Sequence, residues 1–285
     1  MGFDVSRNPN NLGAIVTGLD LGQATPQQAS QVRELLYENK FLVIKGQTMG
    51  PAEYIRFAKY MGDIVKFVDP NYWHPDHPEI FVVSNVAVDG KKIGMDRVGY
   101  YWHSDSSFMP TPLPLTMLYV QRASARGGET CFISMDAVLA SLPADVVSAL
   151  EGKMALHESK WRYIIMESDV GLSIQEVLER DERLVPPSVH PTLIVHPFTR
   201  KRQLYVNEGF TRAILGLPRE TSDTILETVF QATRDCKAMH MHEWEPNEIV
   251  IWDNRQVVHR AMPPAAGEDR MMYRVGIRDG AFYEV

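Results

Sequence analysis

Two short segments far apart in the chain carry residue types that together could hold a metal ion. One is Trp102-His103-Ser104-Asp105; the other is Trp252-Asp253-Asn254-Arg255-Gln256-Val257-Val258-His259-Arg260-Ala261, with Arg270 and Arg274 following. His103 and Asp105 are two apart, so on a strand both side chains leave one face and can bind one ion side by side. A third donor must come from elsewhere, and His259 is the best candidate. It follows the apolar run Glu248-Ile249-Val250-Ile251-Trp252 and the turn-forming Asp253-Asn254, which could bring a strand back beside the first pair. Two imidazoles and one carboxylate on one face of a metal leave the opposite positions open, the arrangement of non-haem Fe(II) oxygenases.

A His-x-Asp pair alone is common, and a histidine beside an aspartate is often only a satisfied hydrogen-bond pair. The two arginines add weight. Arg274 sits within the strand-like run Met271-Met272-Tyr273-Arg274-Val275-Gly276-Ile277, where a positive charge is costly unless an anion meets it. Arg270 stands four positions earlier, so on a regular strand both would point to the same side. The competing reading of either is an ion pair with an internal aspartate or glutamate.

The chain resembles the taurine dioxygenase and aryloxyalkanoate dioxygenase family of iron- and 2-oxoglutarate-dependent oxygenases. The likeness runs from Asn39-Lys40-Phe41-Leu42-Val43-Ile44-Lys45-Gly46, through Gly127-Gly128-Glu129-Thr130-Cys131-Phe132 and Leu204-Tyr205-Val206-Asn207-Glu208-Gly209-Phe210, to the end. It implies that His103, Asp105 and His259 bind Fe(II), and that Thr130 and Arg270 hold the distal carboxylate of 2-oxoglutarate. It also implies that Arg274 grips the acid group of a small anionic substrate. The chemistry agrees with those roles. A dicarboxylate cosubstrate needs its far carboxylate neutralised, and arginine's fixed fork of donors does this better than lysine. Dioxygen would complete the reaction, with succinate and carbon dioxide as coproducts and hydroxylation as the expected outcome.

At 285 residues and 45% hydrophobic content the chain can bury a sizeable core, and it shows no internal boundary, so one domain spanning 1–285 is expected. A formal charge of −7 argues against a general nucleic-acid or acidic-membrane partner. Cys131 and Cys236 lack metal-ligand spacing, and no uninterrupted apolar stretch is long enough for a bilayer. A reduced, cytoplasmic homo-oligomer is the simple reading.

The elements that must position these residues read as mainly β with flanking helices. Thr25-Pro26-Gln27-Gln28 carries an N-cap, a first-turn proline and a capping-box glutamine ahead of Val32, Leu35 and Leu36 at helical spacing. Phe41 to Ile44 is a buried strand, and Pro51 opens a second helix whose Tyr54, Phe57, Ala58 and Met61 share a face. Ile80 to Asn85 is a strand and Asp89-Gly90 a turn. Leu115 to Val120 and Thr130 to Ile133 are strands, Ser134 caps a helical stretch interrupted at Pro143, and Thr221 to Thr233 is a helix. Many short strands, two of them bearing the ligands, fit a double-stranded β-helix, a jelly-roll barrel open at one end. Residues about 151–200 lack a regular period and contain Gly171, Pro186, Pro187 and Pro191, which suggests a lid-like insertion.

The aromatic, polar stretch Asp69 to Phe81 suits a pocket wall, with Tyr72, Trp73 and His74 as substrate-site candidates. That stretch, Tyr100-Tyr101-Trp102-His103 and the Ser168-Asp169-Val170 neighbourhood are also similar to members that form isonitriles from N-carboxymethyl amino acids. Those members share a basic residue just before that neighbourhood, where this chain has Ile164, with Lys160 and Arg162 nearby but out of register. A non-enzymatic small-acid-binding barrel is the alternative outside enzymology. His240-Met241-His242 alternates like a metal pair but lacks a carboxylate companion in the sequence.

Overall fold

The computed structural model describes residues 2–8, 12–88, 91–165 and 169–283. Its frame is two facing sheets. The larger has eight strands and runs Asp4–Arg7, Ala14–Thr17, Phe41–Ile44, Ile249–Asp253, Leu115–Arg122, Met271–Arg278, with Asp63–Val65 and Phe81–Ser84 both pairing the last. The smaller is Met239–His242, Thr130–Ser134, Val257–Ala261, antiparallel throughout.

Strand alternation separates the layers. In the large sheet Leu42, Ile44, Ile249, Ile251, Met117 and Val275 face outward into a cluster with Val32, Leu36, Tyr54, Phe57 and Met61 of the helices Pro26–Asn39 and Pro51–Met61. Their neighbours Phe41, Val43, Val250, Trp252, Leu118 and Met272 face inward, meeting Phe132 and Val257 of the small sheet. Each such aliphatic or aromatic side chain contributes about 1.5–3 kcal/mol on burial, which fixes the register: a one-residue slip would turn a whole strand inside out. The outward face of the small sheet, with Cys131, Ile133 and Val258, is covered by the helix Arg219–Asp235 through Leu226 and Val229.

Several expectations need adjustment. Ser134 precedes the helix Met135–Ser141 but makes no side-chain cap bond, because Lys40 donates to its hydroxyl, which in turn donates to Asp136. The stretch 151–200 is not irregular. It holds the strand Met154–His157 paired to Ser188–Pro191, the strand Leu193–Val195 paired to Arg202–Leu204, and the helix Ile174–Leu184, opened by a Ser173/Glu176 capping box. Short strands stabilised by partners elsewhere leave no local period to read. The Asp89-Gly90 turn and Ser168 lie outside the described residues. No helix among the described residues is long and apolar enough to cross a membrane.

Candidate metal and ligand site

His259 lies on the strand Val257–Ala261, whose inward face it shares with Val257. His103 is not on a regular strand. It makes an isolated bridge to His259, each backbone N–H donating to the other's carbonyl at 3.0 and 2.8 Å, and the chain then turns through Ser106 at φ 53°. The two-residue spacing therefore works through a bridge and a turn rather than through strand alternation. One ligating atom from each of His103, Asp105 and His259 lies within 4.8 Å of the others, and all three residues are buried. Both imidazole Nε2 atoms face the same carboxylate oxygen, Asp105 Oδ1, at 3.5 and 3.7 Å.

The surroundings fix each donor. His103 Nδ1 lies 2.8 Å from the Tyr101 carbonyl, so donation there leaves the Nε2 lone pair for a metal. Gly99 and Gly209 press on this histidine. A Cβ at Gly209 would sit 2.8 Å from His103 Cβ, and one at Gly99, where φ is +72°, 2.7 Å from the His103 ring. His259 is held by packing against Phe132 and Trp252, and burial, with His103 beside it, pushes its ring down to about 3, the neutral form that a ligand needs. Asp105 Oδ2 accepts the Thr116 hydroxyl at 2.7 Å, and Asn254 donates to that hydroxyl at 2.9 Å while its Oδ1 accepts the Asp105 amide and the Trp252 indole N–H. Burial would raise the Asp105 carboxyl, but Arg274 and then the two imidazoles hold it well below the usual range. Thr116 and Asn254 were not legible as site residues, since each reaches Asp105 from more than ten residues away.

Arg274 Nη2 is 2.9 Å from Asp105 Oδ1, and its guanidinium lies over the Phe81 ring. Arg270 is different. It precedes the strand Met271–Arg278, and a register shift at Met271/Met272 separates it from Arg274, so the two do not simply share a strand face. Asn85 anchors its backbone, accepting the Arg270 amide at 2.8 Å. The Arg270 side chain is buried: the residue is 7% exposed, and among the described residues its Nε has no hydrogen-bond partner and no carboxylate pairs with it. Burial lowers its pKa. The Thr130 hydroxyl, also buried, accepts the Trp244 indole N–H at 3.0 Å, which leaves its own O–H to donate elsewhere.

A cavity of about 520 Å³ opens on His103, Asp105 and Arg274. Phe67, Met95, Val98, Phe108, Ile164 and Phe210 make it largely apolar, and Asn71, Arg162 and Asp181 supply polar points. Tyr72, Trp73 and His74 are absent from this lining; the preceding Asp69, Pro70 and Asn71 take their place. Tyr72 packs edge-on against Phe67 and Phe81, the Trp73 indole donates to the Phe67 carbonyl at 2.9 Å, and His74 stacks edge-on against Tyr273. They back the wall instead of forming it, because the three-residue helix Pro70–Tyr72 turns them away. Of the pair His240 and His242, His242 is bonded to Glu248 at 2.7 Å and His240 packs on Phe41.

Comparison with known proteins agrees with this geometry. The chain is similar to pentalenolactone F synthase of Streptomyces avermitilis, 30% identical over 96% of this chain and 93% of that one. It is 28% identical to the alpha-ketoglutarate-dependent 2,4-dichlorophenoxyacetate dioxygenase of Cupriavidus pinatubonensis, over 86% and 87% of the two chains. Among solved structures, AAD-2 in complex with Mn(II) and N-oxalylglycine superposes with a TM-score of 0.79 at 24% identity, covering 96% of this chain and 97% of that one. A taurine dioxygenase from Burkholderia xenovorans gives 0.79 at 21%, over 97% and 89%. Both share the double-stranded β-helix fold seen here. The model for one family matches residues 4–275, a span that takes in the small sheet, all but the end of the last strand of the large one and every candidate ligand, and this chain belongs to it: the Taurine catabolism dioxygenase TauD, TfdA family.

Proposed function

We propose that the protein is an Fe(II)- and 2-oxoglutarate-dependent dioxygenase that hydroxylates a C–H bond of a small anionic substrate, such as an amino-acid-derived carboxylate or sulfonate. The observation that carries this reading is the convergence of His103, Asp105 and His259 within 4.8 Å, with His103 and Asp105 lining a largely apolar cavity. In this reading those three residues hold the metal, Thr130 and Arg270 hold the distal carboxylate of 2-oxoglutarate, and Arg274 receives the substrate's acid. The donor set fits: a carboxylate kept ionised, a buried imidazole kept neutral, and three open positions suit Fe(II). When bound, the iron with 2-oxoglutarate and dioxygen supplies the oxidant, and succinate and carbon dioxide leave.

The chain's own work is positional and electrostatic. Arg270, enclosed and without a carboxylate, is a standing positive charge that a buried dicarboxylate end would neutralise. Arg274 shares Asp105 Oδ1 with both imidazoles, so a cation held there competes for that oxygen and leaves the guanidinium to the incoming acid. The distance from that anchor to the metal then selects the carbon attacked. The apolar walls exclude water from the reacting carbon.

One observation supports a second reading, formation of an isonitrile from an N-carboxymethyl amino acid. Arg162 lines the cavity together with Ile164, so a basic side chain reaches the wall there although the matching position in the sequence is the apolar Ile164. Anaerobic addition of Fe(II) and 2-oxoglutarate should give a visible charge-transfer band, absent in Asp105→Ala. A succinate-release screen over carboxylates, sulfonates, aryloxy acids and N-carboxymethyl amino acids then separates the outcomes. No band in the parent protein would favour a small-acid-binding barrel without the chemistry.

A further inference from the structure

Asp181 lies in the last turn of the helix Ile174–Leu184 and lines the same cavity as the candidate metal ligands His103 and Asp105. Among the described residues its carboxylate has a single hydrogen-bond partner, the Ser159 hydroxyl at 3.0 Å. The cations around it are engaged elsewhere. Arg180 is bonded to Asp169 and to the Tyr163 hydroxyl, and Lys160 is shared between Glu158 at 3.4 Å and Glu182 at 3.3 Å. A negative charge at a helix C-terminus also meets the exposed carbonyls of the helix end, which disfavour it. Burial pushes the Asp181 carboxyl up, and the Ser159 hydrogen bond and the nearby Arg180 and Lys160 charges do not offset this.

The same cavity holds the opposite charge, also unneutralised. Arg162 lies over the Tyr101 ring at 4.4 Å and donates to the carbonyls of Gly209 and Glu208, with no carboxylate in contact among the described residues. Asp181 and Arg162 line one space and do not pair with each other. A cavity that keeps a carboxylate and guanidiniums apart is complementary to a ligand that carries both signs.

We propose that Asp181 is a specificity-determining residue that receives a nitrogen of the substrate, an ammonium or another N–H donor, while an arginine holds its acid. The substrate class is then an amino acid or N-substituted amino acid rather than a simple acid. The proposal rests on the reading above, in which Arg274 accepts the acid group. The competing account is that Asp181 only straps its helix to the turn at Ser159. Asp181→Asn separates the two, because an amide oxygen still accepts from Ser159 but the charge is gone.

The test uses the protein loaded anaerobically with Fe(II) and 2-oxoglutarate. Binding is followed by calorimetry for α-amino, ω-amino and N-alkyl amino acids, each beside the same acid with CH or CH2 in place of the nitrogen, and beside the neutral amide of the acid. For at least one pair the nitrogen-bearing acid should bind roughly 10- to 100-fold more tightly than its nitrogen-free partner. Asp181→Asn should erase that preference, with its melting temperature and its affinity for the nitrogen-free acid unchanged. Nitrogen-free acids binding as well as their partners, or a preference that survives Asp181→Asn, would overturn the role of Asp181 and leave the acid reading standing. Neutral amides binding as well as the acids would overturn the acid reading, and this proposal with it.

Discussion

Arg255 and Arg270 are both buried guanidiniums in the C-terminal third of the chain, and they sit in opposite electrostatic surroundings. Arg255 is fully buried and saturated: its Nε and Nη2 reach Asp253 at 2.8 Å each, Nη2 reaches Asp279 at 2.7 Å, and Nη1 reaches the Ala281 carbonyl at 2.7 Å. It also lies beside the stacked rings of Tyr37 and Phe198, 5.4 Å from each centroid. Burial alone would lower its pKa, but Asp253 and Asp279 raise it, whereas burial lowers that of Arg270 with only the more distant Tyr100 and Asp96 opposing. A buried arginine that is already neutralised ties the fold together. One that is not could be neutralised by an incoming anion, as proposed for Arg270, and Arg274, paired among the described residues only with the candidate ligand Asp105, stands between the two cases.

The strongest way to break this contrast is at the saturated site. Arg255→Met leaves Asp253 and Asp279 buried without their cation and should cost about 3–5 kcal/mol of stability, read from the denaturant midpoint at neutral pH. Arg270→Gln should leave stability unchanged or slightly raised, since it removes an uncompensated charge. Its loss should appear in the 2-oxoglutarate dependence of turnover, weakened by about 2–5 kcal/mol, or roughly 30- to 5000-fold. An Arg270 variant that unfolds early but keeps its 2-oxoglutarate requirement would place both arginines in one structural class.

Arg274→Ala should raise the substrate requirement by about 1.5–3 kcal/mol, roughly 10- to 150-fold, and uncouple succinate release from product, with 2-oxoglutarate affinity nearly intact. Early melting with the parent's substrate dependence would instead make the Asp105 pair structural. The smallest expected effect is on acid stability. Burial would raise the Asp253 carboxyl, but Arg255 and His196 hold it below the usual range. A folded value below the unfolded one, about 3.9, contributes stability that is complete at neutral pH and is lost as pH falls below about 4. That acid-limb loss should shrink in Arg255→Met, where the depressing charge is gone. An unchanged limb would assign the acid sensitivity to other carboxylates.

The residues on either side of that contrast show what a linear pattern can carry. The helix Pro26–Asn39 was readable from Thr25, Pro26 and Gln28, because a capping box is local, Phe41–Ile44 was readable as a buried strand from its apolar run, and the buried face of Pro51–Met61 follows from its own periodicity. The donor types at His103, Asp105 and His259 were readable as a chemical set for the same reason. The bridge that joins His103 to His259, the Thr116–Asn254 pair that fixes Asp105, and the displacement of Tyr72, Trp73 and His74 behind the wall were not. Nor was the difference between the arginines. Arg255 and Arg270 are the same residue type in the sequence, and it is Asp253 together with the return of Asp279 that neutralises the first, while among the described residues no carboxylate pairs with the second. Charge and burial are sums over neighbours, and in a sheet fold those neighbours come from strands distant in the chain.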